Sequence, residues 1–107
     1  MSVLDRRFAA LADPTRRQIL DRIAAGPVPM SVLAEPLRMT LPGVLKHVRV
    51  LEKAELVVTA KVGRTRMCAL GPQPLDDVAD WVSQRRRHWS TLLDRFADHV
   101  AERVDTP

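Results

Sequence analysis

The segment from Thr40 to Ala54, TLPGVLKHVRVLEKA, constrains the fold more than any other part of the chain. At about 100° per residue, a helix over this segment has an apolar stripe on one side and a basic stripe on the other. The apolar stripe contains Leu41, Val44, Val48 and Leu51. The basic stripe contains Pro42, Lys46, Arg49 and Lys53. Thr40 is a suitable N-cap, and a proline is tolerated in the first turn. The pattern is typical of a helix that packs on its own domain and presents cations to a polyanion.

The overall composition also favours an anionic partner. The 107 residues, enough for one domain, have a formal net charge of +4, and this basic balance favours a nucleic acid. Aromatic residues make up only 4% of the chain, too few for the stacking platforms of single-strand binders. No apolar run approaches the ~20 residues that span a membrane, and the N-terminus has no secretory h-region. The predicted location is the cytoplasm.

Two short helices are predicted near the N-terminus. The first covers residues 3–12, and its charged residues at positions 5–7 face away from the apolar side. The second begins at Pro14, with Asp13 as its N-cap. Arg16 lies in the first turn of the second helix, where its side chain is either solvated or in contact with a phosphate.

A third short helix is predicted over residues 31–37, ended or kinked by Pro36. Residues 27–29 before it form a rigid connector, and residues 38–39 form a tight turn into Thr40. Two short helices joined by a tight turn, the second basic on its outer face, constitute a helix-turn-helix.

The apolar period changes after Ala54. Residues 56–62 and 65–70 read as two strands joined by a turn at Gly63 and Arg64, which predicts a β-hairpin with a basic tip. The helix from Thr40 to Ala54 is interpreted as a DNA recognition helix, and a hairpin directly after such a helix is a wing. The single cysteine, Cys68, rules out an internal disulfide, and it is predicted to be buried in the second strand without a redox role.

A long amphipathic helix is predicted over residues 75–104. Thirty helical residues span about 45 Å, more than a domain of this size needs to close its own core. The excess apolar face predicts a two-fold homodimer. The fold class is therefore mainly α, a winged helix-turn-helix in the order α-α-α-α-β-β-α. It forms one domain over residues 1–107, with helices at 1–12 and 75–104 contributing to the dimer interface.

This order of elements and several motifs resemble the ArsR family of small dimeric winged-helix transcriptional regulators. The motifs are FAALADPTRR at positions 8–17, VLA at 32–34, LPGVLKHVRVL at 41–51 and the wing turn at 63–64. The likeness extends over residues 4–100. It implies a dimer that binds operator DNA of imperfect two-fold symmetry and represses transcription.

Carried over by position, the resemblance places the following residues at the DNA: Thr40, Pro42, Lys46, His47 and Arg49 of the recognition helix, and Arg64 and Arg66 of the wing. Arg16 is a further candidate, for a phosphate. Leu45 stands where the family usually has a serine, and it offers only apolar contact, such as to a thymine methyl. His47 borders the buried stripe, so it is either a DNA contact or a packed, hydrogen-bonded residue.

Metal-sensing relatives use two arrangements, and this chain departs from both. The cysteine pair of the first has no equivalent, because Pro29 and Ser31 stand at those places. The second would use three residues of the last helix across a dimer: His88, His99 and Glu102. Such ligands suit Zn²⁺, but Arg86 replaces the required aspartate. No cofactor is predicted, zinc stays an alternative, and the effector is left open.

The predicted function is that of a dimeric regulator, most simply a repressor, that binds double-stranded DNA sequence-specifically. Two alternatives remain open. One is a zinc-responsive regulator that uses the site on the last helix. The other is a winged helix that binds a protein instead of DNA, as Leu45 and Val50 on or beside the outward face would allow. An enzyme is not expected, because no catalytic triad, Cys/His pair or phosphate loop is present.

Overall fold

The computed structural model describes residues 1–104, without the side chains of Arg103 and Val104; positions 105–107 of the predicted domain lie outside the described residues. The described residues form five helices and three strands. These are α1 (Val3–Leu11), α2 (Pro14–Ile23), β1 (Val28–Pro29), α3 (Met30–Leu37), α4 (Leu41–Lys53), β2 (Val57–Val62), β3 (Thr65–Leu70) and α5 (Asp76–Val104). Two compact units result, one from Met1 to Leu75 and one from Asp76 onward.

The predicted N-caps of α2 and α4 are confirmed. The Asp13 carboxylate accepts a hydrogen bond of 3.1 Å from the Arg16 backbone N–H, and the Thr40 hydroxyl accepts one of 3.3 Å from the Gly43 N–H. The bond from Arg16 is the main reason that the pKa of Asp13 is lowered. Each cap satisfies an N–H group that the first turn of a helix leaves without a partner, so both helix starts are encoded locally.

The helix before the turn differs slightly from its prediction. It begins at Met30 rather than at residue 31, and it continues through Pro36 to Leu37. Arg38 then adopts a left-handed conformation with a φ of 54°. The Met39 N–H donates to the Ala34 carbonyl over 3.1 Å, which satisfies a carbonyl at the end of the helix.

The hairpin is confirmed, but the sheet contains a third strand that the sequence did not predict. β2 and β3 pair antiparallel, and Gly63 in the turn has a φ of 64°. The predicted rigid connector is instead the edge strand β1, in which Val28 pairs with Cys68 and Pro29 with Met67. Two residues are too few to show an alternating pattern, and a proline is tolerated at an edge because it need not donate to a neighbour.

The core of the first unit lies between its helices and the sheet. Its buried apolar residues are Ala10, Ile19, Ile23, Met30, Leu33, Val44, Val48, Leu51, Ala54, Leu56, Val57 and Cys68. Three of the four residues in the predicted apolar stripe of α4 are among them. The prediction was wrong for Leu41, which is 41% exposed. The angular position of a residue around a helix gives the side on which it lies. It does not show that the first residue of the helix extends beyond the core.

The predicted burial of Cys68 is confirmed, and the same burial raises the pKa of its thiol. The side chain is fully buried, and burial raises the pKa of the thiol from 9.0 to about 11. The thiolate is the reactive form, so native protein at about pH 8 should react with a disulfide reagent far more slowly than urea-unfolded protein. Fast labelling of the folded chain would contradict this expectation.

The same pKa shift has a consequence at alkaline pH. Because the folded state holds the thiol proton more tightly, the stabilisation is complete below pH 9.0 and is lost as pH rises towards about 11. In Cys68→Ala, which has no thiol to titrate, the free energy of unfolding should fall less steeply over this range than in the parent protein. Urea unfolding at several pH values measures the difference.

The second unit consists of α5. The helix runs without a break through Arg85, Arg86 and Arg87, and the Arg85 guanidinium lies 4.5 Å from the centre of the Trp81 ring. Several large apolar side chains of the helix are exposed: Val82, Trp89, Leu92, Leu93, Phe96 and Val100. Within residues 1–104, no helix is long and apolar enough to cross a membrane.

Candidate nucleic-acid interface

The outer side of α4 presents a basic surface. We call it the α4 front, and it consists of Pro42, Lys46, Arg49 and Lys53, all exposed. On the opposite side of the helix, Val44, Val48 and Leu51 are completely buried. This buried side fixes the helix on the first unit, so the cations of the front have a fixed direction. Thr40, at the start of the helix, is also exposed.

The wing carries three exposed cations, and one of them was missed from the sequence. Arg64 lies in the turn and Arg66 on β3, as predicted. The register places Lys61 of β2 directly opposite Arg66. Like charges opposite each other destabilise a sheet, and no ion pair neutralises these three side chains in the described part of the chain. A polyanion bound to the wing would remove this repulsion.

The side chain of Arg16 has a role that the sequence analysis did not consider. Its Nε donates to the Ala10 carbonyl over 2.7 Å, and its Nη2 donates to the Ala9 carbonyl over 3.1 Å. The neighbouring Arg17 donates to the Leu11 carbonyl over 2.7 Å. These carbonyls belong to the last turn of α1, where few backbone donors remain, and the Ala9 carbonyl accepts in addition from the Ala12 N–H over 3.3 Å. Arg16 is therefore not simply solvated, and its contact with a phosphate stays a prediction.

Arg16 also connects the end of α1 to α4. Its Nη1 lies 3.4 Å from Nδ1 of His47, which is half-buried on α4. A guanidinium can only donate hydrogen bonds, so a hydrogen bond at this distance forms only in the tautomer of the ring whose Nδ1 is an acceptor. The packed and hydrogen-bonded interpretation of His47 fits this geometry, and contact of its ring with DNA stays a prediction.

Arg7 holds the other end of α4, and its predicted exposure is wrong. The side chain is only 9% exposed. Its Nε donates to the Ala54 carbonyl over 3.0 Å, and its Nη2 donates to the Glu55 carbonyl over 3.2 Å. Ala54 and Glu55 are the two residues that come after the last residue of α4. α4 is therefore capped by Thr40 at one end and by an arginine of α1 at the other.

The zinc candidates lie on α5. His88 and His99 are eleven positions apart, a separation of about 16 Å along a helix, which is too far for one ion. Among residues 1–104, no three metal-binding side chains come close enough to hold a metal ion. A site formed by His88, His99 and Glu102 stays a prediction that requires a second chain.

Comparison with curated proteins identifies relatives over most of the chain. Residues 11–60 match the family model described as a helix-turn-helix domain. The HTH-type transcriptional regulator Rv2034 of Mycobacterium tuberculosis is 36% identical over 101 residues, which cover 94% of this chain and 92% of Rv2034. The transcriptional repressor SdpR of Bacillus subtilis is 31% identical over 75 residues, 70% of this chain and 83% of SdpR.

Solved structures agree with the sequence relatives and confirm the predicted fold class. A crystal structure of an ArsR family transcriptional regulator is 40% identical, with a TM-score of 0.77, and the match covers 83% of this chain and 98% of that one. An ArsR-like transcriptional regulator from Rhodococcus sp. RHA1 is 29% identical, with a TM-score of 0.83, over 94% of this chain and 91% of that one. The chain belongs to the ArsR family of winged helix-turn-helix regulators, and it is a DNA-binding transcriptional regulator rather than an enzyme.

Proposed function

We propose that this protein is a homodimeric repressor that binds double-stranded operator DNA sequence-specifically in the cytoplasm. The α4 front carries the proposal, because its cations project from a helix whose opposite side is completely buried. A helix of this kind fits the major groove, where base edges can be distinguished. The similarity to SdpR, a transcriptional repressor, supports repression as the outcome of binding.

The residues of α4 have different roles in this proposal. Lys46 and Arg49 reach base edges or adjoining phosphates from the middle of the helix, and Thr40 and Pro42 approach the DNA at its start. Leu45 is half-buried beside the α4 front, and its exposed part suits the methyl group of a thymine.

The remaining basic residues set the position of the protein on the DNA. Arg64, Arg66 and Lys61 of the wing contact phosphates, which position a protein without reading sequence. Arg16 acts as a positioning residue, since its guanidinium links the last turn of α1 to His47. His47 approaches the DNA with the exposed part of its half-buried ring.

The exposed apolar side of α5 is the proposed dimer interface, together with the helix within residues 1–12. Large side chains such as Leu93 and Phe96 are exposed along this face, and a second copy of the chain would bury them. Two-fold symmetry then places the two recognition helices at half-sites about 34 Å apart, or a multiple of that distance.

Selection from a random pool of duplex DNA tests the proposal, followed by measurement of affinity by fluorescence anisotropy. We expect an enriched sequence with two-fold symmetry. Its affinity should fall steeply with salt, because each phosphate contact adds about 0.9 to the slope of log K against log salt. A pool without enrichment, or affinity that is insensitive to salt, would contradict the proposal.

Lys46→Ala separates base reading from phosphate binding. Loss of a base contact costs about 1–3 kcal/mol, so preference for the selected duplex over random duplex should fall by roughly 5- to 150-fold. Lys61→Ala on the wing is the matched control, and it should weaken both duplexes equally and flatten the salt dependence. Equal losses on both duplexes for Lys46→Ala would assign this residue to a phosphate.

A further inference from the structure

A groove lies between α1 and α4, and Lys53 is the one residue that it shares with the α4 front. It has a volume of about 490 Å³ and is lined by Met1, Arg6, Ala9, Val50 and Lys53. This volume lies within the range of about 300–1,000 Å³ that is typical of small-molecule sites. Its apolar walls are formed by Met1, Ala9 and Val50. Val50 is 38% exposed because it lies on the side of α4 away from the core.

The two polar lining residues are both cations, and no carboxylate lines the groove. Neither Arg6 nor Lys53 makes a side-chain hydrogen bond or ion pair with the described residues. The acidic residues next to them in sequence are engaged elsewhere. Asp5 accepts from the Ser2 backbone N–H over 3.3 Å, and Glu52 accepts from the Thr59 hydroxyl over 3.0 Å. The groove thus combines apolar walls with two uncompensated positive charges.

We infer that this groove binds an amphipathic organic anion, specifically a medium-chain alkyl carboxylate. The alkyl chain would cover Ala9 and Val50, where burial of apolar surface favours binding. The carboxylate would accept charge-assisted hydrogen bonds from Arg6 and Lys53. A DNA phosphate could use the two charges, but it would leave the apolar walls in water, so the walls distinguish the two kinds of anion.

Occupation of the groove has a consequence for DNA binding, and this second part of the inference rests on the proposed function. Lys53 belongs to the α4 front, so a carboxylate paired with it removes one cation from the surface offered to DNA. The bound anion also adds negative charge beside the approaching phosphates. Binding of the carboxylate and of DNA should therefore oppose each other, by the same factor in both directions.

Direct binding is tested without DNA. The full chain, with Met1 confirmed by mass spectrometry, is titrated by calorimetry with decanoate, with acetate and with decyltrimethylammonium, all below their micelle concentrations. Decanoate should bind saturably with one site per chain. Acetate has the charge without the chain and decyltrimethylammonium has the chain with the opposite charge, so neither should bind. Equal binding of the two ten-carbon probes overturns the inference. Absence of decanoate binding also overturns it, for example where a second chain covers the groove.

Substitutions of the residues that line the groove test whether decanoate binds there. Arg6→Gln combined with Lys53→Gln should raise the Kd for decanoate about fivefold or more, since each exposed charge pair contributes modestly. Val50→Asn should also weaken binding, because it removes apolar wall. Arg22→Gln is the matched control, since Arg22 is an exposed cation of α2 that does not line the groove. An unchanged Kd in the Arg6/Lys53 double variant, with circular dichroism showing a folded protein, overturns the assignment.

The DNA experiment separates this inference from the proposed function. Decanoate at a concentration close to its Kd for the parent protein should lower the affinity of the parent for the selected duplex, and it should lower the affinity of the Arg6/Lys53 double variant less. A protein that binds decanoate but no DNA contradicts the proposed function and leaves the groove assignment standing. A protein that binds DNA but not decanoate contradicts only the groove assignment.

Discussion

Arg7→Met is expected to lower the free energy of unfolding by about 3 kcal/mol. Methionine keeps much of the apolar stem but removes the guanidinium, so the carbonyls of Ala54 and Glu55 lose their donors. The bond to the carbonyl of the fully buried Ala54 is itself buried, so water cannot readily replace its lost donor, whereas the bond to the Glu55 carbonyl is part-buried. Urea unfolding followed by circular dichroism measures the change.

Arg6→Met is the matched control for this variant. Arg6 is the preceding residue on α1, but its side chain is exposed, and surface substitutions of this kind change stability by about 0.5 kcal/mol or less. Equal destabilisation by the two substitutions would show that the bonds from Arg7 to the end of α4 contribute little. Under conditions where Arg7→Met is still folded, DNA affinity should also fall, because the recognition helix has lost its C-terminal anchor.

The roles of Arg7, Arg16 and Arg17 show what sequence periodicity cannot reveal. A helical pattern assigns a charged residue to the side away from the core, which is how Arg7 came to be predicted as exposed. Its partners lie 47 and 48 positions along the chain, and no local signal identifies them. A long guanidinium side chain can reach carbonyls at a helix end while its stem remains against apolar neighbours. Only the packed structure shows which helix end lies within reach.

The parts of the molecule that could be predicted are those encoded within a few residues. The caps at Asp13 and Thr40 and the buried stripe of α4 depend on local spacing, and the structure confirms them apart from Leu41. The strand at Val28 exists only because β3 lies beside it, so two residues alone could not indicate it. Lys61 was missed as a wing cation for the same reason, since its position opposite Arg66 follows from the strand register.

Leu93→Glu combined with Phe96→Glu should convert the proposed dimer to a monomer and lower affinity for the selected duplex by about 10²-fold or more. The two side chains are 67% and 66% exposed in the single chain. A large apolar side chain contributes about 1.5–3 kcal/mol when it is fully buried. A two-fold interface would bury Leu93 and Phe96 of both chains. Analytical ultracentrifugation measures the mass in solution, and fluorescence anisotropy measures the loss of affinity that follows when each recognition helix binds alone.

Thr91→Glu provides the control for position, because it introduces one glutamate two positions from Leu93, where the double variant introduces two on the apolar face. At about 100° per residue, this places the new carboxylate near the opposite side of α5 from the exposed apolar face. The control should remain dimeric and keep its affinity, since its charge stays in water. If the Leu93/Phe96 variant also sediments as a dimer, α5 is not the interface. If it is monomeric but binds the duplex as tightly as the parent protein, the two recognition helices do not act as a pair, and the symmetric operator is wrong.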